Sequence, residues 1–290
     1  MLEPQPVSPA PSDPALAPTL APSAPLPLPR VAIGLMFFVS AKVVALALGL
    51  THHLAAALVV FFSPDPWLFF QIAKPGSQGF GPAVTHFETN EREVWLTIDD
   101  GPDPLTTPLV LDLLDTYDAK ASFFLIGEKV LRHPALVREI VRRGHTIGNH
   151  TFSHPSATFW RASRRRTSTE IDGCADALRQ VGVGESPWFR PPVGIKNIFL
   201  HRCLATRGRT LVMWSARGYD GIRFSIAPLR QVTRRLRPGG IILVHEAVKT
   251  PKGTKAPIIE PLLAHLQDKG YRCVLPSPKS LRSGNNVPSA

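Results

Sequence analysis

Two adjacent carboxylates, Asp99 and Asp100, and two histidines four positions apart, His150 and His154, are the residues of this 290-residue chain most able to do chemistry. Asp100, His150 and His154 offer one hard oxygen and two borderline nitrogen donors. That set suits a zinc ion or a similar divalent cation, with positions left open for water and substrate as in a catalytic site. The His-x-x-x-His spacing presents both rings on one side of a helical turn, although Thr151, Phe152 and Ser153 do not demand a long helix. Asp99 cannot easily aim at the metal position that Asp100 takes, so it is free to accept a proton from water as general base. Arg190 is a guanidinium able to hold Asp99 ionised and oriented. Pro191 and Pro192 remove backbone donors and leave the amide of Val193 or Gly194 for a developing oxyanion. His245 stands ready to protonate a leaving group. A base, an acid and a Lewis-acid metal between them describe hydrolysis of an acyl bond. Taken singly, each residue has a plainer reading: Asp99-Asp100-Gly101-Pro102 as a turn and helix cap, Arg190 as a surface cation, each histidine as a satisfied core or surface group.

Positioning these residues requires elements that end near one another. From Glu93 onward, short β-branched or apolar runs alternate with amphipathic ones. The predicted strands are Val94–Ile98, Ala121–Ile126, His145–Gly148, Pro187–Arg190, Thr210–Met213, Ile241–Val244 and Arg272–Leu275. Helices are predicted over Pro108–Tyr117, Pro134–Arg143, Thr167–Val181, Pro228–Leu236 and Pro257–Lys269, with proline or threonine at several starts and Gly144 and Gly270 as stops. Strict βα alternation implies parallel strands and right-handed crossovers, hence an α/β fold: a small or incomplete barrel, with a doubly wound open sheet as the alternative. Catalytic groups in such folds come from the C-terminal ends of strands. Asp99, Asp100, His150, His154, Arg190, Trp214 and His245 all fall there, a convergence much harder to obtain by accident than any one of them.

The rest of the chain sets the context. Ten of the thirty prolines lie in residues 1–30, a Pro/Ala-rich segment read as a disordered tail. Val31–Leu50 is apolar except for Lys42 and long enough for a bilayer core of about 30 Å. A second apolar run, Leu54–Phe62, ends before Pro64 and Pro66, which are expected to stop any helix. Residues 31–62 are read as a membrane anchor touching lipid. A cleaved signal peptide ending at Ala45-x-Ala47 and a hairpin buried against the soluble domain are the alternatives. Cys174, Cys203 and Cys273 are too scattered for a disulfide framework and are read as buried thiols. The net charge of +11 suits nucleic acid, anionic lipid headgroups or an anionic cell-wall polymer. The densest basic run, Arg161, Arg164, Arg165 and Arg166, reads as a solvated helix start, so no nucleic-acid partner is expected.

The motifs together resemble the polysaccharide deacetylases of the NodB homology domain, carbohydrate esterase family four, over about Glu93–Pro276. Thr97-Ile98-Asp99-Asp100-Gly101-Pro102 is similar to that family's first motif, and Gly148-Asn149-His150-Thr151-Phe152-Ser153-His154 to its second. Arg190-Pro191-Pro192-Val193 resembles the third motif, with valine for the usual tyrosine, and Leu243-Val244-His245 the fifth. The resemblance implies a distorted (β/α)7 barrel over 93–276, preceded by the tail of 1–30, the apolar helical segment of 31–62 and a linker of 63–92, and followed by a tail of 277–290. It implies zinc held by Asp100, His150 and His154, Asp99 as base, His245 as acid and Arg190 positioning Asp99. Substrate contacts would come from the Val193 amide, Trp214 and Leu243, the last lining an acetyl pocket. In the fourth motif Arg217 stands where the family often places the carboxylate that tunes the acid histidine, leaving Asp220 or Glu246 to take that role. The implied activity is metal-dependent removal of N-acetyl groups from an aminosugar polymer or glycoconjugate; the apolar segment adds a membrane location, read as facing the cell envelope, with Arg30 and Lys74 alone leaving the orientation open. The rivals are a deacylase or deformylase of a lipid-linked aminosugar and a non-catalytic carbohydrate-binding protein.

Overall fold

A computed structural model describes residues 28–218, 220, 228–246, 248–250, 253–255 and 258–284. The Pro/Ala-rich tail up to residue 27 and the last six residues of the C-terminal tail lie outside them.

Three helices come first: α1 (Leu28–Leu50), α2 (Leu54–Phe62) and α3 (Asp65–Ala73). α1 and α2 fold back on each other across Thr51–His53, with Ala41, Ala45 and Ala57 buried, while Met36, Val43, Leu46, Leu58 and Val59 face outward. Small residues at the buried positions let the backbones approach. Lys42 does not stand alone in this apolar hairpin. Its Nζ lies 3.1 Å from Asp65 Oδ1, bonds the Phe61 carbonyl and sits 3.8 Å from the Phe61 ring centroid. Helix α2 does end before the prolines, at Phe62, but a new helix starts at once at Asp65: Pro66 falls in the first turn of α3, where its missing N–H is not needed. Leu54–Ala73 is consequently a 20-residue helical stretch of mean hydropathy 1.4, long and apolar enough to cross a membrane.

The sheet begins inside the segment read as a linker, at β1 (Val84–Phe87). There follow β2 (Glu93–Gly101), α4 (Thr107–Thr116), β3 (Ala121–Leu125), α5 (Gly127–Arg132), α6 (Pro134–Arg142), β4 (Thr146–Asn149), α7 (Arg164–Gln180), β5 (Trp188–Phe189), α8 (Leu200–Ala205), β6 (Thr210–Leu211), β7 (Ala216–Arg217), α9 (Pro228–Thr233) and β8 (Gly240–His245). A small hairpin of β9 (Val248–Thr250) and β10 (Gly253–Lys255), then α10 (Ile259–Asp268), β11 (Arg272–Cys273) and β12 (Leu281–Ser283), complete the chain. The strand order is β12-β1-β8-β2-β3-β4-β5-β6, with β7 also on β8 and β11 also on β2. A parallel bridge between Val84 and Val212 brings β1 against the chain just after β6, so the sheet curls back on itself as a distorted (β/α)7 barrel.

Alternation along the strands separates two packed layers. On β2, Val94, Leu96 and Ile98 join the cluster beneath the outer helices, whereas Trp95 joins the interior cluster with Phe124, Phe189 and Leu243. Thr97 and Asp99, two and four residues after Trp95, share its inward face, and β8 repeats the pattern with Leu243 and His245.

Three sequence expectations need correction. Strand pairing is not uniformly parallel, because β1 pairs antiparallel with both β8 and β12, and β12 lies within the segment read as the C-terminal tail. The run at Arg272 does not take a place of its own in the sheet. It pairs with Glu93 and Val94 on β2, below Leu96 where β3 begins, and the two-residue β7 fills the position beside β8 instead. Strands of two residues leave too few side chains for periodicity to register.

Candidate active site

Register fixes which residues meet. β2 and β8 pair so that Thr97 lies opposite Leu243 and Asp99 opposite His245. The β2–β3 register shifts between Asp99 and Gly101, and Asp100 within that shift has φ +74°. This bulge lets two consecutive carboxylates serve one site, since a regular strand would send them to opposite faces.

His150 and His154 follow β4. The expectation of a helical turn between them fails: Thr151 and His154 have φ of +68° and +53°, and no helix spans 150–154. For a β-branched threonine that conformation is strained, and strain of this kind persists where surroundings over-determine it. Here Asn149 Oδ1 accepts the Thr151 amide at 3.1 Å, Thr151 Oγ1 accepts the His154 amide at 3.2 Å, and Glu170 accepts the Phe152 amide, the Ser153 amide and the Ser153 hydroxyl. The imidazole nitrogens reach Asp100 Oδ1 at 3.4 Å from His150 Nε2 and 3.2 Å from His154 Nε2. His150 Nδ1 lies 2.8 Å from the Arg190 carbonyl, which can only accept, so Nδ1 carries the proton and Nε2 presents its lone pair.

Arg190 is fully buried. Its Nη1 donates to Asp99 Oδ1 at 2.6 Å and Thr97 Oγ1 at 2.8 Å, while Nε and Nη2 donate to the Val212 and Met213 carbonyls. The guanidinium lies 4.1 Å from the Phe124 ring centroid. Asp99 Oδ2 is turned the other way, 3.8 Å from His150 Nε2.

On the opposite side, Asp220 Oδ1 lies 3.0 Å from His245 Nδ1, and Asp220 Oδ2 accepts the His245 amide at 2.7 Å. Burial disfavours the charged ring, but the bonded Asp220 carboxylate, with Asp100 and Asp99 beyond, outweighs it and raises the His245 pKa. Glu246 does not share this contact. Its carboxyl bonds the Thr107 hydroxyl and abuts Gly101, and burial pushes its pKa up to about 7.

Val193 is half exposed with φ +50° on the turn after Arg190. The Gly194 amide donates to the Pro191 carbonyl at 3.0 Å, so of the two amides only that of Val193 remains for a ligand among the contacts of the described residues. Trp214 is buried with its ring against Gly194, where a Cβ would collide with it, and Leu243 is buried in the interior cluster.

The donor set fits a divalent cation. Asp100 Oδ1 is buried with no hydrogen-bond partner among the described residues, although two nitrogens converge on it. Burial opposes the Asp100 charge, yet His150, His154 and His245 hold its carboxyl well below the usual range. Burial, then His150, lowers the His154 pKa to about 4, leaving that ring neutral at neutral pH. An ionised carboxylate and neutral imidazoles are what a metal requires of its ligands.

Glu170, Asn149, Thr97 and Lys129, whose Nζ donates to the Asp100 carbonyl at 2.6 Å, escaped sequence reasoning as contributors to the site. Asn149 stands inside the second motif. Thr97 opens the first, and Glu170 was readable as a lone glutamate on the buried face of α7.

Residues 86–207 match the family model described as polysaccharide deacetylase. That span includes Asp99, Asp100, His150, His154 and Arg190 but stops before Trp214 and His245. A peptidoglycan-N-acetylglucosamine deacetylase of Bacillus cereus is 35% identical over 195 residues, covering 64% of this chain and 86% of that protein. A chitooligosaccharide deacetylase of Bradyrhizobium is 35% identical over 157 residues, covering 53% of this chain and 71% of its own. Among solved structures, a family 4 carbohydrate esterase from Streptomyces lividans in complex with acetate superposes with a TM-score of 0.58 at 28% identity, over 69% of this chain and all of that one.

Proposed function

We propose, on the premise that this chain belongs to the polysaccharide deacetylase family of carbohydrate esterase family four, that it is a metal-dependent amidohydrolase removing N-acetyl groups from an aminosugar polymer. The observation that carries the reading is the unpartnered, buried Asp100 Oδ1 between two imidazole nitrogens, flanked by Asp99 on Arg190 and His245 on Asp220.

In this reading Asp100, His150 and His154 hold a divalent ion, with zinc the best fit to their oxygen and nitrogen donors. When bound, such an ion supplies Lewis acidity to the amide carbonyl and to water. Arg190 occupies one oxygen of Asp99 and leaves Oδ2 to take the proton of the attacking water. Val193 offers its amide to the developing oxyanion, and Leu243 and Trp214 wall the space for the acyl group and sugar. His245, kept protonated by Asp220, gives its proton to the nitrogen as the carbon–nitrogen bond breaks. Acetate and a free amine leave.

Acetate release from N-acetylglucosamine oligomers by the zinc-loaded chain is the expected result. Stoichiometric zinc with no acetate or formate release from any acylated aminosugar would instead favour the non-catalytic carbohydrate-binding reading. The exposed apolar side chains of α1 to α3 support membrane anchoring through residues 31–62, and with it a lipid-linked aminosugar as alternative substrate. Faster release from lipid-linked than from soluble aminosugars would select that alternative.

Asp220→Asn supplies a separate test of the acid. Removing the charge that raises the His245 pKa makes the ring lose its proton at lower pH. The alkaline limb of the kcat/KM profile therefore moves to lower pH, and kcat/KM at neutral pH falls by about 10- to 100-fold. An unshifted alkaline limb would remove Asp220 from this role.

A further inference from the structure

Away from the metal and acid–base residues, a cavity of about 490 Å³ opens where α3 ends against the barrel, lined by Lys74, Thr85, Trp214, Arg234, Arg235 and Arg237 among others. A second cavity of about 520 Å³ shares Arg234 and Arg235 with it. Neither is lined by a carboxylate among the described residues, and residues 221–227, which lead into α9, contain none in their sequence. Arg237 Nε is buried without a hydrogen-bond partner among the described residues. The ion pairs that occupy Arg143, Arg179, Arg207 and Arg282 have no counterpart at Arg234, Arg235 or Arg237 among those residues. The nearby His86 registers the field: burial first, then Arg237 and Arg282, lower its pKa.

The wall is built rather than loose. Lys196, fully buried, donates from Nζ to the carbonyls of Lys74, Pro75 and Ser77 and to Ser77 Oγ, fixing the turn that carries Lys74. Trp214, whose ring is held against Gly194, also lines the cavity. Guanidinia that line one cavity without carboxylates, here the exposed Arg234 and Arg235 beside the half-buried Arg237, are matched by planar or tetrahedral oxyanions, and a phosphate carries enough charge to answer more than one of them.

We infer that this cavity binds a phosphate or diphosphate group. Its position at the C-terminal end of the apolar Leu54–Ala73 stretch suits the headgroup of an amphiphile at a membrane surface, and a soluble phosphate would use the same contacts. Trp214 is the one lining residue shared with the proposed substrate site; the inference does not depend on the catalytic reading, because no metal-binding or acid–base residue lines the cavity.

The test uses the full chain, zinc-loaded and in detergent micelles, with pyrophosphate as probe in isothermal titration calorimetry. Saturable binding is expected, weakened at least about ten-fold in Arg234→Glu/Arg235→Glu by loss of two charge-assisted contacts. A cooperative thermal transition unchanged from wild type reports that the variant is folded. Arg164→Glu/Arg165→Glu, an equal charge change on α7, is expected to leave the affinity unaltered. Phosphatidic acid vesicles that compete with pyrophosphate, while phosphatidylcholine vesicles do not, would identify a lipid source. Failure of both to compete would identify a soluble one, with the site intact. Absence of saturable binding, or equal weakening by the two double variants, would overturn the inference and leave the deacetylase reading untouched.

Discussion

Asp99→Asn is expected to lower kcat by about 10²- to 10⁴-fold, the usual size of a general-base contribution, with metal content unchanged. Asparagine preserves the shape of the side chain and an oxygen to accept from Arg190 Nη1, so the network of Thr97, Val212 and Met213 around that guanidinium has no reason to move. What it removes is the proton acceptor at Oδ2, on the side of His150. KM should change little, because the loss is felt where the proton moves. One cost is expected in the ground state: Arg190 is fully buried, and without an anionic partner its charge is less well compensated. Thermal unfolding measured beside kcat separates the two effects. A variant that retained more than about a tenth of wild-type kcat would exclude Asp99 as the base.

His154→Ala is expected to act differently, abolishing acetate release by emptying the site. Asp100 Oδ1 would then face His150 alone, and two donors hold a catalytic zinc far more weakly than three. The histidine side chain is about one-fifth exposed on a loop secured by Glu170 and Asn149, so the fold should survive its loss. Zinc measured after dialysis should fall to background while the thermal transition stays cooperative. Stoichiometric zinc in this variant would show that the ion is held elsewhere.

Long elements were the legible part of the fold. β2, β3 and β8 each hold a mostly apolar run of four or more residues, buried almost throughout and readable without alternation, and all three are strands close to their predicted bounds. β7 and β1 were illegible because they are short: β7 has two residues, and β1 has four, of which Thr85 and His86 are polar, so neither forms an apolar run. The site was legible as a set of residue types but not as a geometry. Nothing in Asp99-Asp100 announces a bulge, which exists only relative to the register of β3. The left-handed backbone at Thr151 and His154 opposes local preference and is held by a glutamate 16 to 19 residues away. The partner of His245 was open between Asp220 and Glu246 because neither stands in a periodic element: Asp220 lies between β7 and α9, and Glu246 follows the end of β8. Coordinates place Asp220 on the imidazole and Glu246 on Thr107.

The measurement that bears most directly on the central claim is zinc K-edge X-ray absorption of the purified full chain compared with His154→Ala. The account predicts two imidazole ligands with oxygen completing the shell in the wild type, and their disappearance with the metal in the variant. Thiolate sulfur in the wild-type shell, or an imidazole count unaltered by the substitution, would contradict it.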